Sequence, residues 1–227
     1  MKRFLFTTIA VAVLLSGCGT TKYLSGVGPG TVGDIALVGP LANIDQVSSE
    51  GLFEDRGMKN DALSGECEKI IAGVMPGTAL PVVTRLPLLG ADRPDELRMD
   101  IEALAFVDPK VLGEKTLPDQ VRNYLLDNGF RYGLMVYSAG FRKDTGTYAK
   151  RTALIVAAAI VVAIASMGMV QIYPDPGEWQ GCDLHMMLVD AQEDRILFFK
   201  RDLGPGNNPV SEKELQRRLS KMARKFK

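Results

Sequence analysis

The sequence has little histidine, tryptophan and cysteine, which limits the chemistry that it can perform. Among 227 residues there are one His, one Trp and three Cys. A Ser–His or Cys–His catalytic pair would have to use His185. His185 alternates with Leu184 and Met186 in a strand-like run, which predicts a structural side chain. Cys182 lies three residues before it, but one Cys and one His do not form a recognisable metal site. We therefore expect no metal and no cofactor.

Nucleotide-binding and hydrolase motifs are also missing. Ser138 lies in the sequence VYSAG, which lacks the first glycine of a nucleophile elbow. Residues 28–33 match G-x-G-x-x-G formally, but they precede a predicted strand instead of following one. The carboxylates Asp190, Glu193 and Asp194 lie at a predicted turn, where solvated acidic residues are common. We expect no catalytic site, with a hydrolase that uses two carboxylates as the alternative.

The chain has no excess of charge of one sign. Lys and Arg number 27, as do Asp and Glu, and without Lys2 and Arg3 the basic count falls to 25. This balance indicates that the protein does not bind nucleic acid. The exception is the carboxyl end, where 211–227 has seven Lys or Arg against two Glu. We interpret this segment as the solvated face of a helix, with a lipid-headgroup or partner contact as the alternative.

The amino terminus has the features of an export signal. Lys2 and Arg3 precede an apolar run, 4–15, that is too short to span a membrane as a mature helix. The sequence Leu-Ser-Gly-Cys at 15–18 resembles the lipobox of bacterial lipoproteins. The resemblance implies that 1–17 is a signal peptide cleaved before Cys18, and that Cys18 is lipidated. An ordinary secretory signal with a chance cysteine is the alternative.

The resemblance to lipoproteins also implies a location. Residue 19 is Gly instead of the Asp that marks retention at the inner membrane in related lipoproteins, so we expect the outer membrane, with the chain on the periplasmic face. The membrane is then a partner through the lipid on Cys18, because several acyl chains give stable attachment. The small, glycine-rich segment 18–33 is predicted to be a lipidated flexible tether.

The two remaining cysteines leave two interpretations open. An exported compartment permits a disulfide between Cys67 and Cys182. Alternatively, Cys67 is a small buried side chain, since it belongs to an apolar stripe at helical spacing with Leu63, Ile70 and Val74.

Residues 34–227 are predicted to form one α/β domain, a mixed sheet flanked by helices. We expect strands or extended segments at 34–47, 79–88, 132–141, 184–191 and 195–201, and helices at 61–75, 94–106, 117–127 and from 211 to the carboxyl end. Thr116 is predicted to cap the third helix and Asn128-Gly129 to end it. Ser211 and Glu214 form the sequence of a capping box for the last helix.

Two stretches of this domain resemble a known family. The sequence NGFRYGLMVYS at 128–138 follows a helix, and VDAQEDRILFF at 189–199 reads as a hairpin before the last helix. Together they are similar to envelope lipoproteins with the fold of the amino-terminal domain of the Tol-system propeller protein. Relatives include the curli-secretion lipoprotein and lipoprotein activators of penicillin-binding proteins. The resemblance implies an α/β fold and a role in the cell envelope.

A long uncharged run, 152–170, interrupts the predicted domain before its last hairpin. As a helix, its 19 residues would be long enough to cross a bilayer. A crossing would reverse the positive-inside distribution and separate strands that should pair. We favour a hydrophobic helical or hairpin insertion that contacts the membrane or a partner, with a core helix and a transmembrane span as alternatives. Its candidate contact residues are Ala157, Ala158, Ile160, Val161, Ile164 and Ala165.

These features predict a non-enzymatic outer-membrane lipoprotein. We expect it to act as an assembly or accessory protein of the envelope through contacts with an envelope protein partner or with further copies of itself. One alternative is a lipid-contacting component of an envelope transport system that uses 152–170. The other is a periplasmic hydrolase.

Overall fold

The computed structural model describes residues 21–23, 32–47, 58–143, 180–204 and 206–224. These residues contain six strands and four α-helices. The elements in chain order are β1 (Thr21–Tyr23), β2 (Ile35–Val47), α1 (Met58–Val74), β3 (Val82–Leu86), α2 (Pro94–Phe106), α3 (Asp119–Asp127), β4 (Tyr132–Lys143), β5 (Gln180–Asp190), β6 (Arg195–Asp202) and α4 (Glu212–Arg224).

The six strands form one mixed sheet in the order β1-β6-β5-β4-β2-β3. Strand β2 is parallel to β3 and β4, because α1 and then α2 with α3 supply the crossovers that parallel neighbours require. The other neighbours are antiparallel. The predicted α/β fold, a mixed sheet flanked by helices, is confirmed.

The two faces of the sheet carry separate apolar cores. Side chains alternate along each strand, so Leu134 and Val136 of β4 pack in the core that contains α1 and α4. Met135 and Tyr137 point to the other face and pack in the core that contains α2 and α3. Continuous apolar runs such as that of β4 are expected for strands buried on both faces.

The predicted Thr116 cap of α3 is wrong, and so is the predicted bond from the Ser211 amide to Glu214 in the capping box of α4, although α4 does begin directly after Ser211. Pro118 takes the capping position of α3 without a side-chain hydrogen bond, and the Leu117 amide donates instead to Asp194 Oδ1 at 3.0 Å. At α4, Glu214 Oε2 accepts from the Asn208 amide at 3.1 Å. The partner at α3 comes from the turn between β5 and β6, and the partner at α4 comes from the loop that precedes the helix. The Asn128-Gly129 stop is confirmed, since Gly129 has φ of +79°.

The predicted tether is not free of structure. Residues Thr21–Tyr23 form β1, which pairs antiparallel with β6 in the register Thr21↔Lys200 and Tyr23↔Phe198. The outer edge of β6 offers unpaired amide and carbonyl groups, and any extended segment can satisfy them. The first strand therefore begins only three residues after Cys18.

The apolar run 152–170 and its contact residues lie outside the described residues. The strands on either side of it pair continuously from Tyr132↔Asp190 to Arg142↔Gln180. Among the described helices, none is long and apolar enough to cross a membrane.

Candidate functional site

The residues that could form a nucleophile and base lie on opposite faces of the sheet. Ser138 Oγ is 3.2 Å from Cys182 Sγ, on the face that packs against α1 and α4. His185 is directly opposite Tyr137 on the other face, where the two rings are 5.9 Å apart. Positions 182 and 185 of a strand point in opposite directions, so neither a Ser–His nor a Cys–His pair can form here. Within the described part of the chain there is also no group of side chains suited to a metal ion.

His185 is fully buried in a cage of aromatic rings. Phe106, Tyr137 and Phe199 surround the imidazole with centroid distances of 5.5, 5.9 and 6.3 Å. Among the described residues, neither ring nitrogen has a hydrogen-bond partner of good geometry. Burial and then the nearby Arg201 guanidinium lower the pKa of His185 from 6.5 to about 4, although the Ala105 carbonyl opposes the shift. The neutral form is therefore strongly favoured in the folded protein, as expected for a structural histidine.

Of the two interpretations that the sequence left open for these cysteines, the structure shows no disulfide, because Cys67 and Cys182 are both free thiols. Both are buried in the same core, where Cys67 of α1 packs as the small apolar side chain of the alternative interpretation. Burial, with Cys182 as a neighbour, raises the pKa of Cys67 from 9.0 to about 12. Burial also raises the pKa of Cys182, against the opposing effect of the Ser138 hydroxyl.

We expect both thiols to be unreactive in the folded protein at neutral pH. The thiolate is the nucleophile, and burial removes both the thiolate and access to it. A maleimide should label Cys67 and Cys182 only after denaturation, as measured by intact mass. A cysteine introduced at the exposed Gln216 serves as the positive control. Labelling of either native thiol at the rate of the introduced one would contradict the buried arrangement.

The acidic turn between β5 and β6 is solvated at Glu193, but its Asp190 is buried in the fold. Asp190 is 1% exposed, its Oδ2 is 2.6 Å from Arg131 Nη2, and its Oδ1 accepts from the amides of Gln192 and Glu193. Asp194 holds the start of α3 through the Leu117 amide. Both carboxylate oxygens of Asp190 therefore serve to hold the turn, and the exposed Glu193 pairs with Arg131 and Arg195.

The described surface has its clearest functional feature where α2 crosses the sheet. Arg98 Nη2 donates to the Ala42 carbonyl of β2 at 3.2 Å, and the Tyr137 hydroxyl of β4 donates to Glu102 at 2.9 Å. Phe106, the last residue of α2, lies against His185 of β5. Past the contacts with α2, strands β2, β4 and β5 continue, and none of the described helices covers that part of the sheet face on which α2 lies.

Apolar side chains are exposed along these contacts with α2. Met99 and Phe106 are seven residues apart, and therefore on one face of α2, and are 62% and 56% exposed. On the adjoining strand β4, Ala139 and Phe141 point to the same face as Tyr137 and are half-buried. We name these four residues the rim surface. Methionine and aromatic residues are enriched at protein interfaces, and here Phe106 is held in place by edge-on ring contacts.

The rim surface was not predicted from the sequence. The spacing of Met99 and Phe106 was an available signal, but it does not distinguish an outer from an inner helix face. The predicted contact residues of 152–170 lie outside the described residues.

Comparisons with known proteins identify no family. No protein-family model matches the sequence, and no curated protein matches it significantly. Among solved structures, a PelC dodecamer from Paraburkholderia phytofirmans is similar, with a TM-score of 0.40, 12% identity, and coverage of 90% of this chain and 97% of that one. A single-substitution variant of the same dodecamer has a TM-score of 0.38, 12% identity, and coverage of 90% and 98%. TM-scores below 0.5 do not establish a common fold, so the resemblance to the lipoprotein family stays a prediction.

Proposed function

We propose that this protein is a non-enzymatic lipoprotein of the outer membrane that acts through protein contacts at the rim surface. The lipid on Cys18 holds it at the periplasmic face. The rim surface contacts a second copy of the chain, and the resulting oligomer is the form that serves envelope assembly.

The observation that carries this proposal is the exposure of Met99 and Phe106 on one face of α2. Two large apolar side chains beside the half-buried Ala139 and Phe141 form an apolar area that a protein contact would remove from water. The placement of Ser138 and His185 on opposite faces of the sheet argues against a hydrolase that would use them as a catalytic pair. Binding of a partner at the rim surface does not require catalytic residues there.

We expect Met99→Asp with Phe106→Asp to dissociate the oligomer. A carboxylate placed in an apolar interface loses hydration without gaining a partner, and this weakens association by several kcal/mol. The purified lipidated protein is measured in detergent by light scattering coupled to size exclusion. Wild type should elute as an oligomer and the double variant as a monomer with an unchanged circular dichroism spectrum.

Leu89→Asp provides the matched control. Leu89 is 90% exposed and precedes α2 without belonging to the rim surface, so its substitution should leave the oligomer intact. A monomeric wild type, or equal dissociation by Leu89→Asp, would contradict self-association through the rim surface.

A further inference from the structure

The outer face of α4 carries four cations in a row. Lys213, Arg217, Lys221 and Arg224 are all exposed, and their spacing of four, four and three residues places them on one side of the helix. None of them forms an ion pair with an acidic side chain of the described residues. We name these four residues the basic face.

The cations of α4 differ in their surroundings according to whether they face the sheet or the solvent. The one inward-facing cation, Arg218, is 2% exposed and is bound to β6, where its Nε is 2.7 Å from Asp202 Oδ2 and its Nη2 is 2.8 Å from the Asp202 carbonyl. The other inward positions are apolar, with Leu215 and Leu219 fully buried. The interior of the domain therefore neutralises its own cation and leaves the basic face unpaired.

The same end of β6 lies close to the start of the chain. Asp202, which holds α4, is two residues beyond Lys200, and Lys200 is the partner of Thr21 in β1. Cys18 precedes Thr21 by three residues, a reach of about 10 Å at most. Leu203, just beyond β6, is 54% exposed. A group attached at Cys18 is thus confined to the part of the domain where α4 is fastened.

We propose that the basic face is a second membrane contact, which binds the anionic headgroups of the bilayer that holds the lipid of Cys18. The inference rests on the lipid anchor of the proposed function. Attraction between Lys or Arg and an anionic surface acts within roughly a Debye length, about 8–10 Å at physiological salt. A long tether would carry the domain beyond this range. Pairing of β1 with β6 leaves only Gly19 and Thr20 between the lipidated residue and the sheet, so the proposed anchor would hold the domain close to the bilayer.

The test uses the full lipidated chain reconstituted in vesicles. A fluorophore is placed at Gln216→Cys, an exposed position on α4, and the vesicles contain a quencher attached to a lipid headgroup. We expect stronger quenching in vesicles with about one third phosphatidylglycerol than in pure phosphatidylcholine, and loss of the difference at high salt. Lys213→Gln with Arg217→Gln should abolish the difference.

The matched control is Lys110→Gln with Lys115→Gln, which removes two exposed cations after α2, on the other side of the sheet. It should quench like wild type. Mass spectrometry of the same protein tests the lipid separately, and an unlipidated chain contradicts the anchor itself. Two results with the lipidated chain would overturn the basic-face contact: equal quenching in both kinds of vesicle, or quenching of the Lys213 and Arg217 variant that equals that of wild type. The four cations would then face solvent or an acidic protein.

Discussion

Phe198→Ala lowers the free energy of unfolding by about 3–5 kcal/mol, the largest effect that we expect from one substitution. Phe198 is fully buried on β6 and belongs to the core beneath α1 and α4. It is opposite Leu188 of β5 and Tyr23 of β1, so its ring lies in the middle of the antiparallel half of the sheet. Truncation removes its burial and leaves a cavity that packed neighbours fill only in part.

Urea titration followed by far-ultraviolet circular dichroism measures this loss. A domain of this size has about 5–15 kcal/mol of stability, so the midpoint should fall far enough to be unmistakable. Leu203→Ala, five residues along the chain at a position that is 54% exposed, should change the free energy by no more than about 0.5 kcal/mol. Similar midpoints for the two variants would mean that Phe198 is not in the core.

His185→Phe should remove much of the acid sensitivity of the fold. The pKa of His185 falls from 6.5 in the unfolded chain to about 4 in the folded protein. Because the folded pKa is the lower one, the unfolded state binds a proton first as pH falls. The stabilisation by neutral His185 is complete above pH 6.5 and is lost as pH falls towards 4, and it amounts to about 3 kcal/mol.

The measurement is the free energy of unfolding at pH 7 and at pH 4 for both proteins. Carboxylates titrate in the same window in both, so the difference between the two proteins isolates His185. The charged groups that act on the imidazole are Arg201, which lowers its pKa, and Asp183, which raises it. Phenylalanine suits the cage of Phe106, Tyr137 and Phe199 rings and has no buried nitrogen to satisfy. Parallel pH profiles would show that His185 is protonated or hydrated in the folded state.

Local patterns in the sequence were sufficient for most of the secondary structure. The helix at Pro94–Phe106 has Pro at its first position and apolar residues at helical spacing, and its bounds are those predicted. Two further features were predictable because they depend only on residues that are neighbours in the chain. They are the unbroken apolar run of β4 and the end of α3 at Asn128-Gly129. The α/β class follows from the order of such elements.

Long-range pairing decided the rest. The Leu117 amide before α3 donates to Asp194, and Glu214 of α4 accepts from the Asn208 amide. Part of the predicted tether forms β1 because β6 has an open edge. Ser138 and His185 are separated by the faces of one sheet. The exposure of Met99 and Phe106 depends on where α2 ends its crossing of the strands. Sequence by itself determined which segments are apolar, charged, helical or extended, since these properties are set within a few residues. Only the tertiary structure decided which side chains share a face, an edge or a surface, because those contacts join residues that are distant in the chain.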